Sequence, residues 1–140
     1  MSRIRSAHGF MLLELLVVIV IIGLLSAFVA PKYFGQIGRS RTQIAMAQVE
    51  SFEKALDQYR INVGHYPATD AGLIVLFSPL ANESNWRGPY LKKGVPQDPW
   101  GHAYLYRSPG SEGREYEIVS FGSDGAQGGG GEDADIESWK

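Results

Sequence analysis

FMLLELLVVIVIIGLLSAFVA, residues Phe10 to Ala30, decides how the rest of the chain is read. It is 21 residues long and carries a single charge, Glu14. As an α-helix rising 1.5 Å per residue it spans about 31 Å, close to the hydrocarbon thickness of a bilayer. Arg3 and Arg5 precede it and Lys32 is the next cation, so charge at the two flanks orients it only weakly. The simpler topology keeps the short basic N-terminus in the cytoplasm, because only the C-terminal part is long enough to fold. The pattern argues against an ordinary secretory signal, whose apolar region is shorter and ends in a small-residue cleavage site. Here Pro31-Lys32 closes the run.

The whole chain is 140 residues, room for one domain beside a membrane segment. Net charge is −2, which leaves nucleic-acid binding without an electrostatic footprint. There is no Cys, which rules out disulfides, thiol nucleophiles and Cys-based zinc sites. His8, His65 and His102 are scattered, and no nucleophile motif, phosphate loop or His-based metal spacing accompanies them. An anchored periplasmic enzyme is therefore the weaker class of reading.

Glu14 is the informative residue of the apolar run. A carboxylate inside a spanning helix costs roughly 2.5–3.5 kcal/mol even on lenient insertion scales. Either it lies near the headgroups and snorkels, or it has a cationic partner within an assembly. A free N-terminal amine, made by cutting the chain just before Phe10, is one such partner.

Gly9-Phe10-Met11-Leu12-Leu13-Glu14 resembles the prepilin peptidase site of type IV pilins and type II pseudopilins. In that family a short basic leader ends in Gly, Phe follows, and Glu is the fifth residue of the mature chain. The resemblance implies a leader Met1–Gly9, cleavage between Gly9 and Phe10, N-methylation of Phe10, and pairing of Glu14 with the Phe10 amine of a neighbouring subunit. It also implies a polymerisation helix over residues 10–30, a periplasmic domain over 31–140, and loss of helicity around Gly23 to Pro31 on assembly.

Beyond Pro31 a helical period resumes. Ala45, Val49, Phe52, Leu56 and Tyr59 step by four and three, drawing one apolar stripe, with Lys54, Asp57, Gln58 and Arg60 off it. Gly64 is placed to end the helix in a left-handed cap. Thr69 or Asp70 is predicted to cap a short helix reaching about Phe77, which Pro79 terminates. Strands are predicted at Ala103–Arg107 and Glu115–Phe121, joined across Ser108 to Gly113, with Trp86, Trp100 and Tyr104 as packing residues. The expected fold class is α+β, a small antiparallel sheet on one long helix.

This segment resembles the major pseudopilins of type II secretion, the general secretion pathway protein G family. The resemblance runs through Leu56-Asp57-Gln58-Tyr59-Arg60, Gly64-His65-Tyr66-Pro67, Gly88-Pro89-Tyr90-Leu91, Asp98-Pro99-Trp100-Gly101, Tyr104-Leu105-Tyr106 and Asp133-Ala134-Asp135-Ile136. It implies a pilin-like fold and a structural subunit of a periplasmic filament that promotes export of folded proteins across the outer membrane. Implied partners are identical subunits, minor pseudopilins, prepilin peptidase, the inner-membrane assembly platform and, before assembly, inner-membrane lipid. The alternative is a type IV pilin or minor pseudopilin serving adhesion, motility or DNA uptake.

Residues 121–136, FGSDGAQGGGGEDADI, hold four acids, six glycines and no Lys or Arg. Such a segment is either a solvated tail or a loop pinned by a hard cation, which takes six to eight oxygens. An EF-hand reading fails, because Ala126 and Gly128 stand where acids or amides are needed. The family resemblance implies calcium here. By position it implies the carboxylates of Asp124, Asp133 and Asp135 and the carbonyls of Phe121 and Ala126 as ligands.

Overall fold

The structure, a computed structural model, describes the backbone from Ala7 to Lys140 and the side chains from Phe10 onward, Tyr33 excepted. The predicted leader falls, for residues 1–6 including Arg3 and Arg5, outside the described residues. Helix α1 runs Ala7–Val63 with Pro31 in its interior, so the stretch from Gly23 to Pro31 is helical in the single chain. Two compact units share this helix, one ending at Ile37 and the other covering Gly38–Lys140.

In the first unit every described side chain from Phe10 to Val29 is exposed. In the second, α1 carries the predicted stripe. Ala45, Val49, Phe52, Leu56 and Tyr59 are all buried, and Ala55 joins them, because steps of four and three keep side chains on one helical face. The helix ends as predicted. Gly64 adopts φ +97° and its N–H donates to the Arg60 carbonyl at 2.7 Å, a turn that a side chain would strain.

The stripe packs on a three-stranded antiparallel sheet of order β1-β2-β3: Leu105–Arg107, Glu117–Ser120 and Ile136–Glu137. Leu105 faces Val119, Arg107 faces Glu117, and Ser120 faces Ile136. Leu73, Leu76, Leu91, Tyr106 and Ile118 complete the core. Three of its aromatic residues have their polar ends bonded, whereas Trp100 Nε1 is buried without a partner. Trp86 Nε1 donates to the Val75 carbonyl at 2.7 Å, the Tyr106 hydroxyl to the Pro67 carbonyl at 2.7 Å, and the Tyr104 hydroxyl to Gln48.

Three expectations are corrected. The helix predicted from Thr69 or Asp70 is a single 3-10 turn, Leu73–Leu76, entered through Gly72 without a side-chain cap. Thr69 is engaged elsewhere: its hydroxyl donates to the Ser108 carbonyl at 3.0 Å and accepts from the Ser108 N–H at 2.9 Å. The strands are shorter than predicted, because flanking residues enter turns. Ser108 Oγ holds the Glu115 carbonyl at 2.9 Å, and Gly110 N–H holds the Arg114 carbonyl at 2.9 Å. Strand β3 lies at the end of the segment read from sequence as a loop.

Candidate functional site

Two regions hold the predicted functional residues. In the first unit, Gly9 lies within α1. Phe10 is 72% exposed, and Glu14 is exposed with no ion-pair partner among the described residues. Four residues apart on a helix, Phe10 and Glu14 stand on adjacent turns of one face. A carboxylate set in an exposed apolar surface calls for a compensating cation when that surface enters lipid.

The second region is the acidic loop between β2 and β3. Gly122 turns the chain at φ +72°, and a Cβ there would lie 2.7 Å from the Glu132 carbonyl oxygen. The two arms of the loop therefore meet backbone to backbone. Ser123 N–H donates to the Glu132 carbonyl at 2.9 Å, and Ser123 Oγ donates to the Asp133 carboxylate. Asp135 Oδ2 accepts from Gly128 N–H at 2.9 Å, while its Oδ1 is buried without a hydrogen-bond partner. Asp124 is exposed and folds back to accept from Ala126 N–H at 3.1 Å.

The five positions predicted as metal ligands, Phe121, Asp124, Ala126, Asp133 and Asp135, thus share one loop but are not gathered into a ligand cluster. Among the described residues no three His, Asp or Glu side chains converge at metal-holding spacing. The donor chemistry nevertheless fits a hard cation. Every donor is oxygen, and the orphaned Asp135 Oδ1 is an atom that a cation would satisfy.

His102, read from sequence as structural, braces this loop. Its Nδ1 lies 3.3 Å from the Gly122 carbonyl, and a Cβ on Gly125 would sit 3.2 Å from its ring. Asp98 behind it is buried. It accepts from Trp100 N–H at 3.1 Å, His102 N–H at 2.8 Å and Ser120 Oγ at 2.8 Å, tying the Asp98–His102 turn to β2. His65 is exposed, with Nδ1 2.9 Å from the Tyr66 carbonyl.

The sequence reading missed Glu117. This buried carboxylate takes Arg107 Nη2 at 2.5 Å, Arg114 Nη2 at 2.9 Å and Ser111 N–H at 2.8 Å. Hydrogen bonds from Ser111, then Arg107 and Arg114, hold its carboxyl down to about 2. Arg114 also stacks over the Trp139 ring at 4.2 Å, so the same network fastens the C-terminus. The signal was available in the register, since Arg107 and Glu117 stand opposite each other across the hairpin.

A long N-terminal helix, apolar and exposed at its start and bearing a small antiparallel sheet on its later turns, defines a pilin-like subunit. Residues 32–139 match the family described as Type II secretion system (T2SS), protein G. Type II secretion system core protein G of Vibrio cholerae is 41% identical, over 99% of this chain and 96% of that protein. The protein of the same name from Pseudomonas aeruginosa is 39% identical, over 96% of each. The crystal structure of the major pseudopilin from the type 2 secretion system of enterohaemorrhagic Escherichia coli matches with a TM-score of 0.61 and 34% identity, covering 76% of this chain and 92% of that one. The chain belongs to the type II secretion system protein G family, whose members are structural pseudopilin subunits and not enzymes.

Proposed function

We propose that this chain is the major structural subunit of a type II secretion pseudopilus, polymerising into a periplasmic filament that promotes export of folded proteins across the outer membrane. Family membership supports the role, and α1 is long and apolar enough at its start to cross a membrane. The observation that carries the mechanism is Glu14, one exposed carboxylate in an exposed apolar helix. Before assembly the segment from Phe10 to Ala30 sits in inner-membrane lipid with residues 31–140 in the periplasm. Prepilin peptidase cuts between Gly9 and Phe10, and the new Phe10 amine is methylated. On the assembly platform, Glu14 of an incoming subunit pairs with the Phe10 amine of its neighbour, and minor pseudopilins join the same polymer. The pairing removes two charges from the lipid at once, which favours the polymer over the free subunit.

We further propose that the acidic loop takes calcium, a divalent charge that gathers carboxylate and carbonyl oxygens. Asp124, Asp133 and Asp135 would hold it, with the carbonyls of Phe121 and Ala126. Asp135 contributes its otherwise unpaired Oδ1, and Gly122 lets the loop's two arms approach closely enough to share an ion.

The test is Glu14→Gln in cells that secrete a reporter exoprotein, together with mass spectrometry of the mature N-terminus. The expected result is no filaments, no export, and a methylated Phe10 in the wild-type protein. Normal filaments and export with glutamine at this position would overturn the reading.

A further inference from the structure

Helical glycines disfavour the helix by about 1 kcal/mol each relative to Ala, so a glycine in α1 calls for a reason. At Gly23 and Gly35 a Cβ would meet nothing within 4 Å. At Gly38, which is buried, a Cβ would lie 2.0 Å from Glu132 Oε1 and 2.7 Å from its Cγ. The carboxylate occupies the space a side chain would need.

The backbone of Glu132 and Asp133 is also closely approached within the loop. Cβ atoms on Gly122 and Gly129 would each fall 2.7 Å from a carbonyl oxygen, that of Glu132 and of Asp133 respectively. One glycine of α1 and two of the loop itself thus close on two consecutive residues. We propose that Gly38 is the seat of a latch, a notch in α1 that receives Glu132 and fastens the acidic C-terminal loop to the helix. Glu132 is the positioning residue, and the loop's closure is coupled to the turn of α1 around residue 38. The latch stands on geometry within the chain and does not depend on calcium.

The experiment is hydrogen–deuterium exchange on the full chain in detergent micelles with a chelator present. It compares wild type with Gly38→Leu, Gly38→Ala, Glu132→Ala and the Gly38→Leu/Glu132→Ala double variant. Opening the loop should raise exchange across residues 122–135 by roughly tenfold in Gly38→Leu and Glu132→Ala, and by less in Gly38→Ala, where the glutamate end can swing aside, with residues 49–60 unchanged. The double variant should match Gly38→Leu and Glu132→Ala, because both remove one contact. Gly38→Ala separates the latch from helix propensity. It improves the helix yet is expected to loosen the loop, whereas a residue that mattered only to the helix would tighten everything. Unchanged loop exchange in Gly38→Leu and Gly38→Ala, or additive effects in the double variant, would overturn the latch. Repeating the wild type with calcium tests the loop's cation separately: no added protection sinks that reading and leaves the latch standing.

Discussion

Asp135→Asn is expected to change sign with calcium. The carboxylate has one oxygen bonded to Gly128 N–H and the other buried without a partner. A buried polar group left unpaired costs about 1–3 kcal/mol, and more when it is charged. Asparagine keeps the size and the acceptor for Gly128 and replaces a buried unpaired charged oxygen with a neutral, still unpaired amide NH2, so only the charge-dependent part of the cost is relieved. In chelator the variant should therefore be the more stable by on the order of 1 kcal/mol. For a folded unit of this size that is about 4–8 °C in Tm. Calcium reverses the order. At free calcium 100 times its Kd, binding to the native state alone adds about 2.7 kcal/mol. The wild type should then gain roughly 10–20 °C, and the variant little. Near-UV circular dichroism melts of the full chain in detergent, with calcium and with chelator, give all four values. A variant that melts below wild type in chelator would refute the account of the orphaned oxygen. A wild type that melts identically in both conditions would refute the cation.

Leu56→Ala removes a fully buried side chain from the centre of the helix stripe and should cost about 2–5 kcal/mol in a urea melt; a loss under 1 kcal/mol would mean that the stripe is not the core. Acid should weaken the fold through Glu117. Its folded-state value is depressed from 4.5 to about 2, so its contribution is complete above pH 4.5 and is lost as pH falls toward 2. The Tm of wild type should drop across that window, and Glu117→Gln, less stable at neutral pH, should show a flatter profile; parallel profiles would remove Glu117 as the cause.

What was legible in the sequence follows from how local each signal is. The stripe from Ala45 to Tyr59 could be read because helical period and burial coincide over four turns. Gly64 could be read because a left-handed cap has a residue preference of its own. The predicted short helix at Thr69 failed because Thr69 has a better partner in Ser108, 39 positions away in sequence. Strand β3 spans two residues and exists through its pairing with Val119 and Ser120, which no local pattern announces. In the acidic loop, composition revealed the carboxylates but not their contacts. Ser123 meets Asp133 because Gly122 reverses the chain, and Gly38 meets Glu132 because the loop returns to the helix. Glu117 looked like one position in an alternating strand, and its three partners come from the connecting segment and the facing strand.

The sheet described above has strands of three, four and two residues, too little to stand without a surface to fold on. Helix α1 is that surface, so the N-terminal half of the molecule cannot be trimmed freely to obtain a water-soluble fragment. A truncation point after Ala45 strips the first contact of the stripe, and one between Gly38 and Ala45 keeps the stripe but abandons the resting place of Glu132. Cutting upstream of Gly38 preserves both, and it marks the shortest piece from which the behaviour of the intact subunit can be inferred.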